Sequence, residues 1–156
     1  MKPELHDNPP REAEMALLDD QAAYLGVLAQ IPPGELKAFV EARLLDSLRE
    51  VEVLRRRTGL CMIPGRDTAQ GVVHHLGEAL VSEAHVRLET SEGYGACLGC
   101  DIEQAVAIAI TDAALQAGRL RPVIGPFLAE WAGRQATQAS ELRARVEATR
   151  VEMETF

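Results

Sequence analysis

The sequence predicts an α+β fold, with an antiparallel sheet of about four strands packed with N- and C-terminal helices. Two observations carry that reading. Apolar residues recur at steps of three and four near both ends of the chain, the period of a helix that buries one face. In the middle the period drops to two, most clearly over residues 80–89, as in a strand with one wet face. With 156 residues, 47% hydrophobic and 26% charged, the mixture is globular and large enough for one core. Residues 1–10, with His6, Asp7, Asn8, Pro9 and Pro10, read as a flexible lead-in, and residues 11–156 as a single domain.

The elements follow in chain order. Met15, Leu18, Ala22, Leu25 and Leu28 predict one helix from Arg11, stopped by Ile31-Pro32-Pro33-Gly34. Leu36, Phe39, Val40, Leu44 and Leu48 predict a second. Residues 50–57 and 59–63 read as two short strands joined by a turn at Thr58-Gly59, with Pro64-Gly65-Arg66-Asp67 as a loop. Residues 71–76 fit more than one state. In the strand at 80–89, Leu80, Ser82, Ala84, Val86 and Leu88 share the core face, and Val81, Glu83, His85, Arg87 and Glu89 the wet one. A turn at Thr90-Ser91-Glu92 leads to a last strand at 93–98. Asp101 is a good N-cap, with Glu103 in the first turn, for a helix through Ala117 that is apolar most of the way round and therefore central. Gly118 ends it. After Arg121-Pro122 and Gly125-Pro126 a long helix carries the narrow stripe Leu128, Ala132, Gln135, Ala139, Leu142 and Val146, a pattern suited to another helix or subunit.

Composition excludes some functions. The net charge is −8, which repels phosphate backbones and anionic lipid, so neither nucleic acid nor membrane is expected as a partner. No stretch approaches the roughly 20 apolar residues of a membrane span, and residues 1–10 lack a signal-peptide pattern, so a cytoplasmic location is expected.

Several groups carry chemistry in principle. Cys97-Leu98-Gly99-Cys100 has the CxxC spacing of zinc knuckles and redox pairs, but no second such pair follows, and ordinary strand-end thiols are the expected reading. Cys61 is remote from it in sequence. His74 and His75 are adjacent, so in an extended segment they point to opposite sides and do not share a metal. Neither a metal site nor a bound cofactor is expected. Gly93-Tyr94-Gly95 and Gly99 before Asp101 suggest either amides facing an anion or a hairpin that uses glycine freedom. No catalytic set can be assembled from spacing. At the far end Val151, Met153 and Phe156 are apolar, with Glu152 and Glu154 between them. Leu142, Val146, Arg150, Val151, Met153 and Phe156 are therefore the candidate subunit interface.

Taken together, certain ordered motifs resemble one family. Gly59-Leu60-Cys61-Met62-Ile63 through Arg66-Asp67, then Leu76-Gly77-Glu78-Ala79-Leu80-Val81 and Glu83-Ala84-His85-Val86-Arg87-Leu88, are similar to the PhnG family. Gly93-Tyr94-Gly95, Gly99-x-Asp101, Thr111-Asp112-Ala113-Ala114-Leu115 and the run from Ala148 to Phe156 continue the likeness. Cys100 stands where relatives often carry Arg, and His74-His75 where they often carry an aromatic–Asn pair. The resemblance implies a subunit of the carbon–phosphorus lyase core complex, a transferase that replaces adenine of ATP with methylphosphonate to give ribose 1-methylphosphonate 5-triphosphate. It implies a chain that is accessory to a PhnI-like catalytic partner, contacts other subunits of the complex and associates with itself. The net charge of −8 and the missing phosphate-binding signature predict that the chain alone is inactive. A small zinc or redox adaptor built on Cys97 and Cys100, or a homo-oligomeric scaffold without chemistry, are the competing readings.

Overall fold

The computed structural model describes residues 9–48 and 50–150. In chain order these form α1 (Pro9–Asp19), α2 (Gln21–Ala29), α3 (Pro33–Arg43), a 3-10 turn (Leu45–Ser47), β1 (Val51–Arg66), β2 (Val73–Leu88), β3 (Ser91–Leu98), α4 (Ile102–Gln116) and α5 (Arg121–Ala148). The strands make one antiparallel sheet in the order β1-β2-β3, so the fold is α+β as expected. Most of the lead-in expected over residues 1–10 lies outside the described residues.

The first helical run is two helices. Asp20 leaves helical geometry (φ −103, ψ 100), and its carboxylate accepts the Ala23 amide at 3.1 Å, which caps α2. A periodic apolar stripe continues across such a break, so periodicity alone did not reveal it. Pro33 supplies the first turn of α3, where its missing N–H costs nothing. Leu44 and Leu48 are buried as expected, but from the turn that follows α3.

The strand count is three, not four. Thr58 and Gly59 do not turn; they pair with Ser82 and Val81 in an unbroken ladder, so the two short strands are the single strand β1. The glycines with positive φ are Gly71, Gly99 and Gly118, and each sits in a turn, whereas Gly59 is an ordinary extended residue. The reversal lies further on. Asp67 accepts the Ala69 and Gly71 amides through side chain and backbone, and Gly71 (φ 69) closes the loop into β2. Pro64 and Gly65, expected in a loop, are strand residues beside a bulge, and residues 73–76 join β2. The second reversal is Glu89-Thr90, one position earlier than expected, with Glu89 at φ 55.

α4 is the buried centre. Ala105, Ile108, Ala109, Ala113 and Leu115 pack between β2 and β3 on one side and α2 and α3 on the other. On the sheet Ser82, Ala84, Val86 and Leu88 turn to α4 and are buried, which is the face the alternation specified, whereas Leu80 lies beyond the helix and is exposed. α5 starts at Arg121, ahead of Pro126, which it tolerates within its second turn. Its first half docks through Ile124 and Leu128, and Phe127 stacks on Phe39 of α3 at 3.8 Å between centroids. Its second half, residues 136–148, is fully exposed.

Candidate functional site

β1 and β2 pair over their whole lengths, but β3 covers only residues 81–88 of β2. Beyond Ser82 the sheet continues as a bare two-stranded ribbon, residues 58–66 against 73–81. Such a ribbon is marginal in water by itself. This one carries Leu60, Met62, Ile63, Val73, Leu76 and Leu80, all exposed, with Val72 in its loop and Leu98 beside its root. Leu60 and Leu80 are direct cross-strand partners on the face that α4 covers further along. They are 65% and 42% exposed, so much of their apolar area is uncovered among the described residues. Clustered exposed apolar side chains of this kind occur at protein–protein contacts, membrane contacts and ligand grooves. Sequence reasoning missed this cluster. The available signal was Leu60-Cys61-Met62-Ile63, a strand with no polar face.

The solvent side of the sheet root holds a polar cluster. Arg57 Nε donates to Glu83 at 2.5 Å, the Tyr94 hydroxyl donates to the other Glu83 oxygen at 3.2 Å, and the His85 ring meets Tyr94 edge-on at 4.9 Å. The Arg57 hydrogen bond holds the Glu83 carboxyl below its usual range, against the opposing effect of desolvation. Burial, then the Glu83 charge, pushes the Tyr94 hydroxyl up. The ion pair and the hydrogen bond hold Arg57, Glu83 and Tyr94 against one another across the three strands. A cleft of about 460 Å³ opens beside them, lined by Gly59, Leu60, Cys61 and Val81.

The remaining sequence candidates separate in space and role. Cys97 is buried and its thiol donates to the Asp101 carbonyl at 3.3 Å, while Cys61 and Cys100 are exposed. Desolvation, then the Asp101 charge, raises the Cys97 pKa and keeps the thiol protonated and unreactive. Among the described residues no cluster of three or more His, Cys, Asp or Glu is placed to hold a metal ion. His74 and His75 lie exposed on the ribbon. Gly93 and Gly95 neither face an anion nor use unusual φ. A Cβ on Gly93 would collide with the Ala109 carbonyl and Ala113 amide, and one on Gly95 with the Ala105 carbonyl and Ala109 amide. The glycines, and the alanines facing them, let α4 lie directly on β3. The α4 N-terminus is already occupied, since Asp101 accepts the Gln104 amide at 2.9 Å and pairs with Lys37 at 3.1 Å. That amide, with Lys37, holds the Asp101 carboxyl low despite partial desolvation.

Asp112 is the second feature that sequence reasoning passed over. It is 1% exposed, and its oxygens accept from Gln21 Nε2 at 3.1 and 3.2 Å, the Tyr24 hydroxyl at 2.6 Å and the Tyr94 amide at 2.7 Å. These donors compensate a buried carboxylate that would otherwise cost several kcal/mol. Burial and the Asp112 hydrogen bond push the Tyr24 hydroxyl far above its ordinary range. The network ties α2, α4 and the outer edge of β3 into one unit. Its signals were an acid in the middle of a mostly apolar helix and its place in the family-like run 111–115.

Of the candidate interface, Leu142 and Val146 are exposed on the free half of α5, and Arg150 pairs with Glu147 at 3.1 Å. Val151, Met153 and Phe156 lie outside the described residues. No described helix is long and apolar enough to cross a membrane.

Comparison with known proteins agrees with the motif order. The family model "Phosphonate metabolism protein PhnG" matches residues 20–156. The Rhizobium meliloti (strain 1021) protein named alpha-D-ribose 1-methylphosphonate 5-triphosphate synthase subunit PhnG is 36% identical over 132 residues, 83% of each chain. The match takes in the ribbon, the Gly93/Gly95 contact and Asp112, and the chain belongs to the PhnG family of phosphonate metabolism proteins.

Proposed function

We propose that this chain is the PhnG-type subunit of an alpha-D-ribose 1-methylphosphonate 5-triphosphate synthase, the transferase that replaces adenine of ATP with methylphosphonate. It works in the cytoplasm as one domain over residues 11–156, accessory to a PhnI-like catalytic partner. The likeness to the Rhizobium subunit supports the complex. The exposed apolar ribbon carries the accessory role, because a strand pair with nothing beneath it gains stability only when another subunit covers it. A triphosphate needs several fixed cations or amides. Of the five arginines on the sheet, Arg57 pairs with Glu83 and Arg87 with Glu52 and Glu92, while Arg55, Arg56 and Arg66 are held by no ion pair among the described residues. The test is to express the chain with and without the PhnI-like partner and measure adenine release from ATP with methylphosphonate. The isolated chain is expected to release none and to co-purify with the partner in stable ratio. Turnover by the pure chain, or failure to co-purify, would refute the reading.

A further inference from the structure

We propose that the cleft between the end of α2, the end of β3 and the start of α4 binds a protonated nitrogen group, an ammonium or guanidinium carried on an aliphatic stem. The cleft holds about 360 Å³, the size of a small-ligand site. Ala29, Ile31, Pro32, Pro33 and Leu98 give it apolar walls, and Gln30, Cys97, Asp101 and Gln104 are its polar lining.

Gln104 decides what can enter. It is 2% exposed, and its Nε2 donates to the Ile31 carbonyl at 3.1 Å. The reverse amide orientation would set two carbonyl oxygens against each other, so the nitrogen is fixed on that side and Oε1 on the other. Oε1 has no hydrogen-bond partner, and among the described residues it is the only buried side-chain nitrogen or oxygen left so. A buried acceptor of this kind costs free energy until a donor meets it.

The rest of the lining offers acceptors and withholds donors. Pro32 and Pro33 have no N–H, so the Ala29 carbonyl, which in a continuing helix would accept from residue 32 or 33, gets neither. The Gln30 side-chain amide donates to the Gly26 carbonyl at 3.0 Å, and the Cys97 thiol to the Asp101 carbonyl. The end of α2 is the negative pole of its helix dipole, and no basic residue stands in its last turn. Beside it Asp101 and Glu103 share one cation, Lys37, at 3.1 and 3.2 Å, which leaves the local balance negative. An anion is repelled here, and a wholly apolar occupant leaves Gln104 Oε1 unpaired. A charged N–H donor, with methylenes behind it to lie along the prolines and Leu98, answers the orphan oxygen, the negative charge and the apolar walls together. Such a group comes as a free alkylamine or as a lysine or arginine side chain of a partner subunit.

The site belongs to this chain alone, so it stands or falls separately from the synthase reading; only the source of its occupant involves the complex. The probes are n-butylammonium and n-butylguanidinium, followed by NMR on the Gln104 side-chain amide of the purified full chain. A saturable shift of that signal is expected with either. Tetramethylammonium has the charge without a donor, and n-butanol the donor without the charge. Each is expected to bind at least about tenfold more weakly, as is either probe to Gln104→Leu, read there on the Leu98 amide. The comparison among probes on the parent chain tests the site even if that variant does not fold. In the assembly with the PhnI-like partner, calorimetric binding of the probes is lost if a partner side chain holds the cleft and kept if a free amine does. A parent chain that ignores both probes would overturn the proposal, with water alone serving Oε1. So would one that binds tetramethylammonium or n-butanol equally well.

Discussion

Gly95 shows how one missing methyl group sets the distance between two layers. The Ala105 carbonyl and Ala109 amide occupy the place where its Cβ would be, and both belong to helix backbone that cannot swing aside. Gly95→Ala must therefore push α4 off β3, an overpacking cost of roughly 1–3 kcal/mol. In a chain of this size that corresponds to a Tm lower by roughly 3–10 °C, measurable by calorimetry. Gly59→Ala serves as the control, since its Cβ meets nothing in the isolated chain. The sequence showed these glycines but not their reason, because close approach belongs to two elements and neither segment carries it alone. Asp112 was hidden in the same way. Its donors come from Gln21 and Tyr24, some ninety positions away in sequence, and from the Tyr94 amide.

At the scale of elements, local chemistry was legible where one residue decides the outcome. Asp101 was readable as the α4 cap because an acid before an apolar run satisfies orphan amides and favours the helix dipole. Alternation likewise specified the buried face of β2. Turns were harder, since Gly59 resembles a turn residue and only the ladder across to Val81 shows that it is not one. The cap has a pH signature. The Asp101 carboxyl is held below its ordinary value when folded, so its contribution is fully present above the unfolded carboxylate pKa and fades as pH falls through the folded one. Asp101→Asn keeps a capping side chain but loses the charge that faces Lys37. Its Tm is expected to lie below that of the parent chain at neutral pH, with the gap closing as pH is taken below about 3.9. A gap that stays constant across the acid range would show that the charge contributes nothing.

For the whole molecule, the distribution of stability follows the distribution of burial. α4 and the sheet root hold the core, while the ribbon and the free half of α5 extend from it with their apolar residues uncovered. Exposure of this sort is hard to read from sequence, because Leu60 or Leu80 looks the same whether a helix, a partner or water lies above it. The apolar run at 60–63, with no wet face, was the one available signal, and it was read only as a short strand. These residues lose little within the chain when made polar, yet they are the ones an interface would desolvate. Leu60→Ser combined with Leu80→Ser is thus expected to shift stability by less than about 1 kcal/mol, as for exposed positions generally. The same pair is expected to weaken capture of the PhnI-like partner at least tenfold, since burying each leucine is worth about 1.5–3 kcal/mol and tenfold requires only about 1.4. Calorimetry and a titrated pull-down on one preparation separate the two effects. A large loss of thermal stability with unchanged capture would place these leucines in a hidden part of the core and remove the ribbon from the assembly surface.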